Sequence, residues 1–243
     1  MASTTETGHA KNVAYLHDLL DFCIGYGSTY APTKNAFKVP TLQTMETDAQ
    51  SSIADVLSKK TAFNNNVNLR MQAFKGIKPL STRIVNALQS TDASAELIKD
   101  AKTYNKKIQG ARATKIETPI DPNTPVPNTI STSQQSYDQL IQHFAGLIEV
   151  VKTEPSYAPN ETELQVATLI AQNNDRTTQN NNVSQAYTDY SNAIISRNNL
   201  LYSKDTGLVD TALGVKMYIK SIYGATSDQY KQVKGIPFRN LKK

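Results

Sequence analysis

One motif in this chain is written twice. Tyr30-Ala31-Pro32 returns 127 positions later as Tyr157-Ala158-Pro159, and the offset then holds without a gap. Val39 matches Val166, Thr41 matches Thr168, Leu42 matches Leu169, Asp48 matches Asp175 and Val56 matches Val183. Thr61 with Thr188, Asn65 with Asn192 and Arg70 with Arg197 continue the series. Where identity lapses, apolar character is kept: Phe63 meets Tyr190, Val67 meets Ile194 and Phe74 meets Leu201. A single register from Tyr30 to Phe74 requires two units of the same kind, since any insertion would have broken it.

Past that point the register slips, but the order of features persists. Val85-Asn86-Ala87-Leu88 followed by Ser90-Thr91-Asp92-Ala93-Ser94 resembles Ile219-Lys220-Ser221-Ile222 followed by Gly224-Ala225-Thr226-Ser227-Asp228. Ile108-Gln109-Gly110 answers Val233-Lys234-Gly235. Between the copies, Pro119, Pro122, Pro125 and Pro127 prevent a helix. The reading divides the chain into a first helical unit over 1–112, a Pro-rich linker over 113–132 and a second helical unit over 133–243.

Each unit reads as three helices. The first helix runs from about Ala10 to Ile24 and from Gln134 to Lys152, ended by Gly25-Tyr26-Gly27 and by Glu154-Pro155. The second is long: from Val39 to Phe74 apolar residues recur on an alternating three–four spacing with no glycine and only Pro40 near the start. Its counterpart carries Val166, Leu169, Val183, Tyr187, Tyr190, Ile194 and Leu201. A third stretch covers Pro79 to Leu88 and Gly207 to Tyr223, and a turn then leads to a short last segment. Hydrophobic residues make up 39% of the chain and there is no Trp, against an ordinary apolar share of about 45–50%. Narrow apolar stripes on long helices suit such a composition. The expected fold is therefore all-α, an elongated helical bundle of two tandem, pseudosymmetric three-helix units with long central helices.

Two features of the long helices stand out. Arg70 and Arg197 occupy the same place on the apolar stripe, where a guanidinium needs a carboxylate or helix-end carbonyls as acceptors. In the second copy Asn173, Arg176 and Asn180 interrupt the stripe inside a run of amides. Buried without partners each would cost about 1–3 kcal/mol, so the run is either solvated or a polar layer that fixes the register of a partner helix.

The formal charge of +5 is concentrated at one end. From Lys216 onward the chain holds Lys216, Lys220, Lys231, Lys234, Arg239, Lys242 and Lys243 against Asp228 alone, so the rest is close to neutral. Such a segment could meet nucleic acid. The plainer expectation is that these charges scatter or pair while Tyr218, Ile219, Ile222 and Tyr223 turn inward as core. A single cysteine, Cys23, rules out an internal disulfide and fits a reducing compartment. The first residues lack a signal-peptide pattern, and no stretch reaches about 18 continuous apolar residues. A cytoplasmic location without membrane insertion is expected.

No catalytic constellation emerges. His9, His17 and His143 form no metal pair with each other or with Cys23, and His17 with Asp21 is an i, i+4 pair of the kind common on helix surfaces. Cys23 reads as a small buried apolar residue. There is no phosphate loop, nucleophile elbow, zincin helix or calcium loop, and Glu46 faces Asn173 where a di-metal bundle would repeat a carboxylate. The chain is read as a non-enzyme without cofactor or metal.

The stretch from Leu200 to Asp210, with Gly224-Ala225-Thr226-Ser227 and the run from Gln229 to Ile236, resembles a group of duplicated helical proteins of Bacteroidota. The resemblance covers most of both copies and implies a bacterial origin. It carries no activity, so no site residue transfers from it. The functional expectation is a structural or assembly protein acting through helix surfaces, with protein, self or other, as partner. The alternative is a nucleic-acid-binding accessory protein that uses the basic segment, where Tyr218, Tyr223, Tyr230 and Phe238 interleave with lysines.

Overall fold

A computed structural model describes residues 4–110 and 135–240. The expected linker over 113–132 lies outside the described residues, as do Lys242 and Lys243. Among the described residues the chain is helical, with no β-strand. In order, the α-helices are α1 (Thr4–Gly25), α2 (Val39–Phe74), α3 (Ile77–Gln89), α4 (Ala95–Gln109), α5 (Tyr137–Lys152), α6 (Val166–Tyr202), α7 (Leu208–Tyr223) and α8 (Asp228–Lys234). The two long helices span 36 and 37 residues, about 50 Å each at about 1.5 Å per residue.

Local chemistry explains the boundaries. Ser94, Ser136 and Ser227 are N-caps whose side chains accept from Leu97 N, Gln139 N and Tyr230 N, satisfying amides with no partner inside the helix. Gly76 separates α2 from α3 at φ 86°, a left-handed conformation that favours glycine. The closing stretch of the first copy is fuller than its sequence suggested. It is the 15-residue helix α4, with Glu96 in its first turn, Lys106 and Lys107 in its last, and Gly110 as a left-handed C-cap.

The duplicated Tyr-Ala-Pro motif has a structural reason. Tyr30 Oη donates to the Phe37 carbonyl at 2.6 Å, and Tyr157 Oη donates to the Leu164 carbonyl at 3.0 Å. Both tyrosines are buried, and each ties down the turn that feeds a long helix. The seven-residue reach is the same in both copies.

The described residues gather into two compact units, each drawing on both sequence copies: Met1–Phe63 with Ala186–Lys243 (unit 1), and Asn64–Gln185 (unit 2). Unit 1 therefore contains α1, the first part of α2, the last part of α6, α7 and α8. Its core joins Val13, Leu16, Leu19, Leu20 and Cys23 of α1 to Leu42 and Ala49 of α2, Leu201 of α6, and Leu208, Val209, Ala212, Val215 and Ile219 of α7. Unit 2 contains the last part of α2, α3, α4, α5 and the first part of α6. Its core joins Phe74, Ile84, Val85, Leu88, Ala101 and Ile108 to Leu140, Phe144, Leu147, Ile148, Val151 and Leu169. On α5 the buried positions 140, 143, 144, 147, 148 and 151 form one helix face.

The long helices bury little. Along α2 only Leu42, Ala49, Val56 and Phe74 are buried, and the first three are seven residues apart. The same spacing on α6 gives Leu169, Arg176 and Val183. A seven-residue repeat is the packing period of supercoiled helices.

Candidate functional site

The run that interrupts the stripe of α6 lies inside unit 2. Arg176 is buried to 4% exposure, while Asn173 and Asn180 are half-buried. Arg176 Nε donates to the Ala73 carbonyl at 3.1 Å, near the end of α2, and Nη2 donates to Gln172 Oε1 at 3.2 Å. Asn173 Nδ2 donates to the Ile141 carbonyl of α5 at 3.4 Å. Asn180 accepts from Arg70 Nη1 at 3.2 Å and donates to Asp138 Oδ1 at 2.8 Å. The layer thus ties α6 to both α2 and α5.

Neither arginine of this layer finds its acceptor in a carboxylate of a neighbouring helix. Arg70 meets the Asn180 amide and lies 4.2 Å over the Tyr137 ring, which Phe74 meets edge-on at 4.7 Å. Arg176 lies 4.7 Å over the Phe144 ring. Aromatic faces attract guanidinium charge, most strongly where water is excluded. Arg176 Nη1 and Arg70 Nε are shut off from solvent and make no hydrogen bond. Burial pushes the Arg176 guanidinium below its usual range. Arg197, the sequence partner of Arg70, is buried in unit 1, with Nε and Nη2 donating to Asn198 Oδ1 at 3.3 and 3.0 Å.

The basic segment belongs to unit 1, and several of its charges are spent internally. Lys216 Nζ donates to the carbonyls of Lys234 and Ile236, both at 2.9 Å, and burial holds its ammonium below the usual lysine range. Lys220 lies 5.7 Å over the Tyr230 ring. Lys231 pairs with Asp228 at 2.9 Å. Lys234 and Arg239 are exposed. Ile219 is fully buried, and Tyr218 and Tyr223 pack against the same core. Ile222 departs from the expected inward set and is 40% exposed.

The remaining reactive groups are dispersed. His17 reaches Asp21 at 3.6 Å, as its spacing implied, and also Glu46 at 2.8 Å on α2. The hydrogen bond and charge of Glu46, with Asp21 behind it, raise the imidazole above its ordinary pKa. His143 is buried on α5, where burial and then Lys107 hold it below the ordinary value. Cys23 is buried, and its thiol is pushed up to about 11. Among the described residues no three His, Cys, Asp or Glu side chains are grouped to hold a metal. Among them, too, no helix is long and apolar enough to cross a membrane. An open groove of about 380 Å³ on unit 1 is lined by Pro40, Thr41, Thr44, Met45, Asp48 and Leu200.

One constellation escaped the sequence reading. Asn12, only 2% exposed, donates through Nδ2 to the Arg239 carbonyl at 2.8 Å and accepts at Oδ1 from the Arg239 N–H at 3.1 Å. Its Nδ2 also reaches Tyr202 Oη at 3.2 Å, which His9 Nδ1 meets at 2.7 Å. The signal was available: His9 and Asn12 extend the three–four stripe of Val13, Leu16, Leu20 and Cys23 toward the helix start. Polar residues on such a stripe call for partners.

Compared with protein-family models, with curated proteins and with solved structures, the chain matches none.

Proposed function

We propose that this protein is a non-catalytic structural or assembly component of bacterial origin that acts through its helix surfaces and associates with copies of itself. The observation that carries this reading is the sparse burial along α2 and α6. Two helices of 36 and 37 residues present far more surface than their own cores use, and that surface is rich in Asn, Gln, Ser and Thr. On unit 1, Leu57, Tyr187 and Ile195 are more than half exposed on these helices. Polar faces with a few apolar anchors are the usual make-up of an interface between soluble partners. The nucleic-acid reading of the basic segment draws less support, since Lys216, Lys220 and Lys231 have internal partners and phosphate binding needs clustered free charge.

Size-exclusion chromatography with light scattering across a wide concentration range, followed by negative-stain microscopy, tests the proposal. Discrete oligomers or filaments are expected. A monomer at every concentration, with tight and salt-sensitive binding in gel-shift titrations, would replace this reading with the nucleic-acid one.

A further inference from the structure

After α8 the chain leaves helical structure, yet residues 235–240 are held closely against unit 1. Asn12 grips Arg239 through backbone N–H and C=O together, and Lys216 binds the carbonyls of Lys234 and Ile236. Phe238 packs edge-on to Tyr15 at 6.3 Å, and the Lys216 ammonium lies 6.0 Å over its ring. Asn12 is almost wholly buried, and the Lys216 ammonium is partly desolvated. Asn12 commits both its donor and its acceptor to the segment's backbone, and Lys216 commits its ammonium to two carbonyls. The surface is therefore built to hold a peptide backbone with an aromatic residue beside Arg239. Any such segment in the right conformation satisfies it, and the identical segment of a second copy satisfies it completely.

The connection that carries the segment has the character of a hinge. Only Gly224, Ala225, Thr226 and Ser227 join α7 to α8, and Gly224 stands at φ 92° and ψ 158°, a conformation reserved for glycine. Asn12, Tyr15, Tyr26 and Lys216 all precede this hinge. The groups they bind all follow it, including the Gln229 carbonyl that accepts from Tyr26 Oη at 2.9 Å. Short hinges of this kind favour the exchange of an arm between copies, because every contact is remade and only the hinge changes.

We propose that residues 225–240 form an arm that two copies of this chain exchange, each copy's Asn12 and Lys216 holding the other's arm. This inference rests on the self-association proposed above and names the segment through which it occurs. The test uses two single variants of the full chain, Lys11→Cys and Asn240→Cys, both at exposed positions flanking the grip. Cys23 is buried, with its thiol pushed up to about 11, and stays silent toward maleimides. The variants are co-expressed, purified and treated with a short bis-maleimide. Arm exchange gives a covalent dimer from the mixture and none from either variant alone. The double variant serves as control for reach and gives the same dimer. Oligomers in light scattering with only intrachain cross-linking of the double variant overturn the arm exchange and leave the assembly reading standing. Monomers at every concentration with only intrachain cross-linking overturn both.

Discussion

Units 1 and 2 are built on one sequence register and filled with different chemistry. Where unit 1 places Leu42 and Ala49 one heptad apart in its core, unit 2 places Leu169 and Arg176. Ala49 is small, apolar and fully buried, whereas Arg176 carries a charge into nearly the same degree of burial. Unit 2 accommodates it with an aromatic face from Phe144, the Ala73 carbonyl and Gln172. Unit 1 carries its buried guanidinium at a different place, Arg197, which meets Asn198, and its Asn12, tied to Tyr202, holds the segment after α8. One sequence register thus carries a small apolar residue at position 49 and a charged one at position 176, and the two interiors hold their helices by different means: a polar layer in unit 2, and in unit 1 an apolar layer at Leu42 and Ala49 with a clamped arm.

The largest expected effect comes from moving the charge between the two interiors. Ala49→Arg places an unpartnered cation in a fully packed site and should cost about 4 kcal/mol or more, enough to unfold unit 1. Arg176→Met keeps the volume and removes the desolvated charge, and should change stability by no more than about 1 kcal/mol in either direction. Urea denaturation followed by circular dichroism reads both. A tolerated Ala49→Arg, or a collapse on Arg176→Met, would remove the distinction between the interiors.

A smaller effect separates the units by pH. His17 of unit 1 has a raised pKa, so the stability from its Glu46 contact is fully present below about 6.5 and is lost as pH rises through the folded value. His143 of unit 2 has a lowered pKa, so its contribution is present above about 6.5 and is lost as pH falls. Acidifying from about pH 7.5 to 5.5 should therefore slow amide exchange in α1, after correction for intrinsic rates, and speed it in α5. His17→Gln and His143→Gln should each abolish the change in their own helix only. Parallel responses in both helices would contradict this assignment.

Much of the secondary structure was legible because the recurring sequence register supplied an internal control. The long helices were expected at 39–74 and 166–201 and run over Val39–Phe74 and Val166–Tyr202. Helix ends marked by Gly25 and by Ser/Thr-rich turns were equally legible, since capping is local chemistry. The composition of the compact units was not. Periodicity tells which face of a helix is buried, but not which helix covers it, so nothing in α1 announced that Leu16 and Leu20 would share a core with Leu208 and Val215. The run at Asn173, Arg176 and Asn180 was legible as an anomaly, while the rings that receive the guanidinium charge, Phe144 and Tyr137, lie on a helix far away in sequence. Asn12 was passed over because its partner is a backbone amide 227 residues later, and backbone groups leave no mark in sequence.

The central structural claim is that each compact unit needs both sequence copies. Expressing 1–112 and 113–243 as separate chains tests it most directly, with helicity and cooperativity followed by circular dichroism and mass by light scattering. The account predicts that neither fragment folds cooperatively as a monomer, and that mixing them restores the helicity and the unfolding transition of the intact chain. A monomeric 1–112 fragment with full helicity and a sharp transition of its own would contradict it.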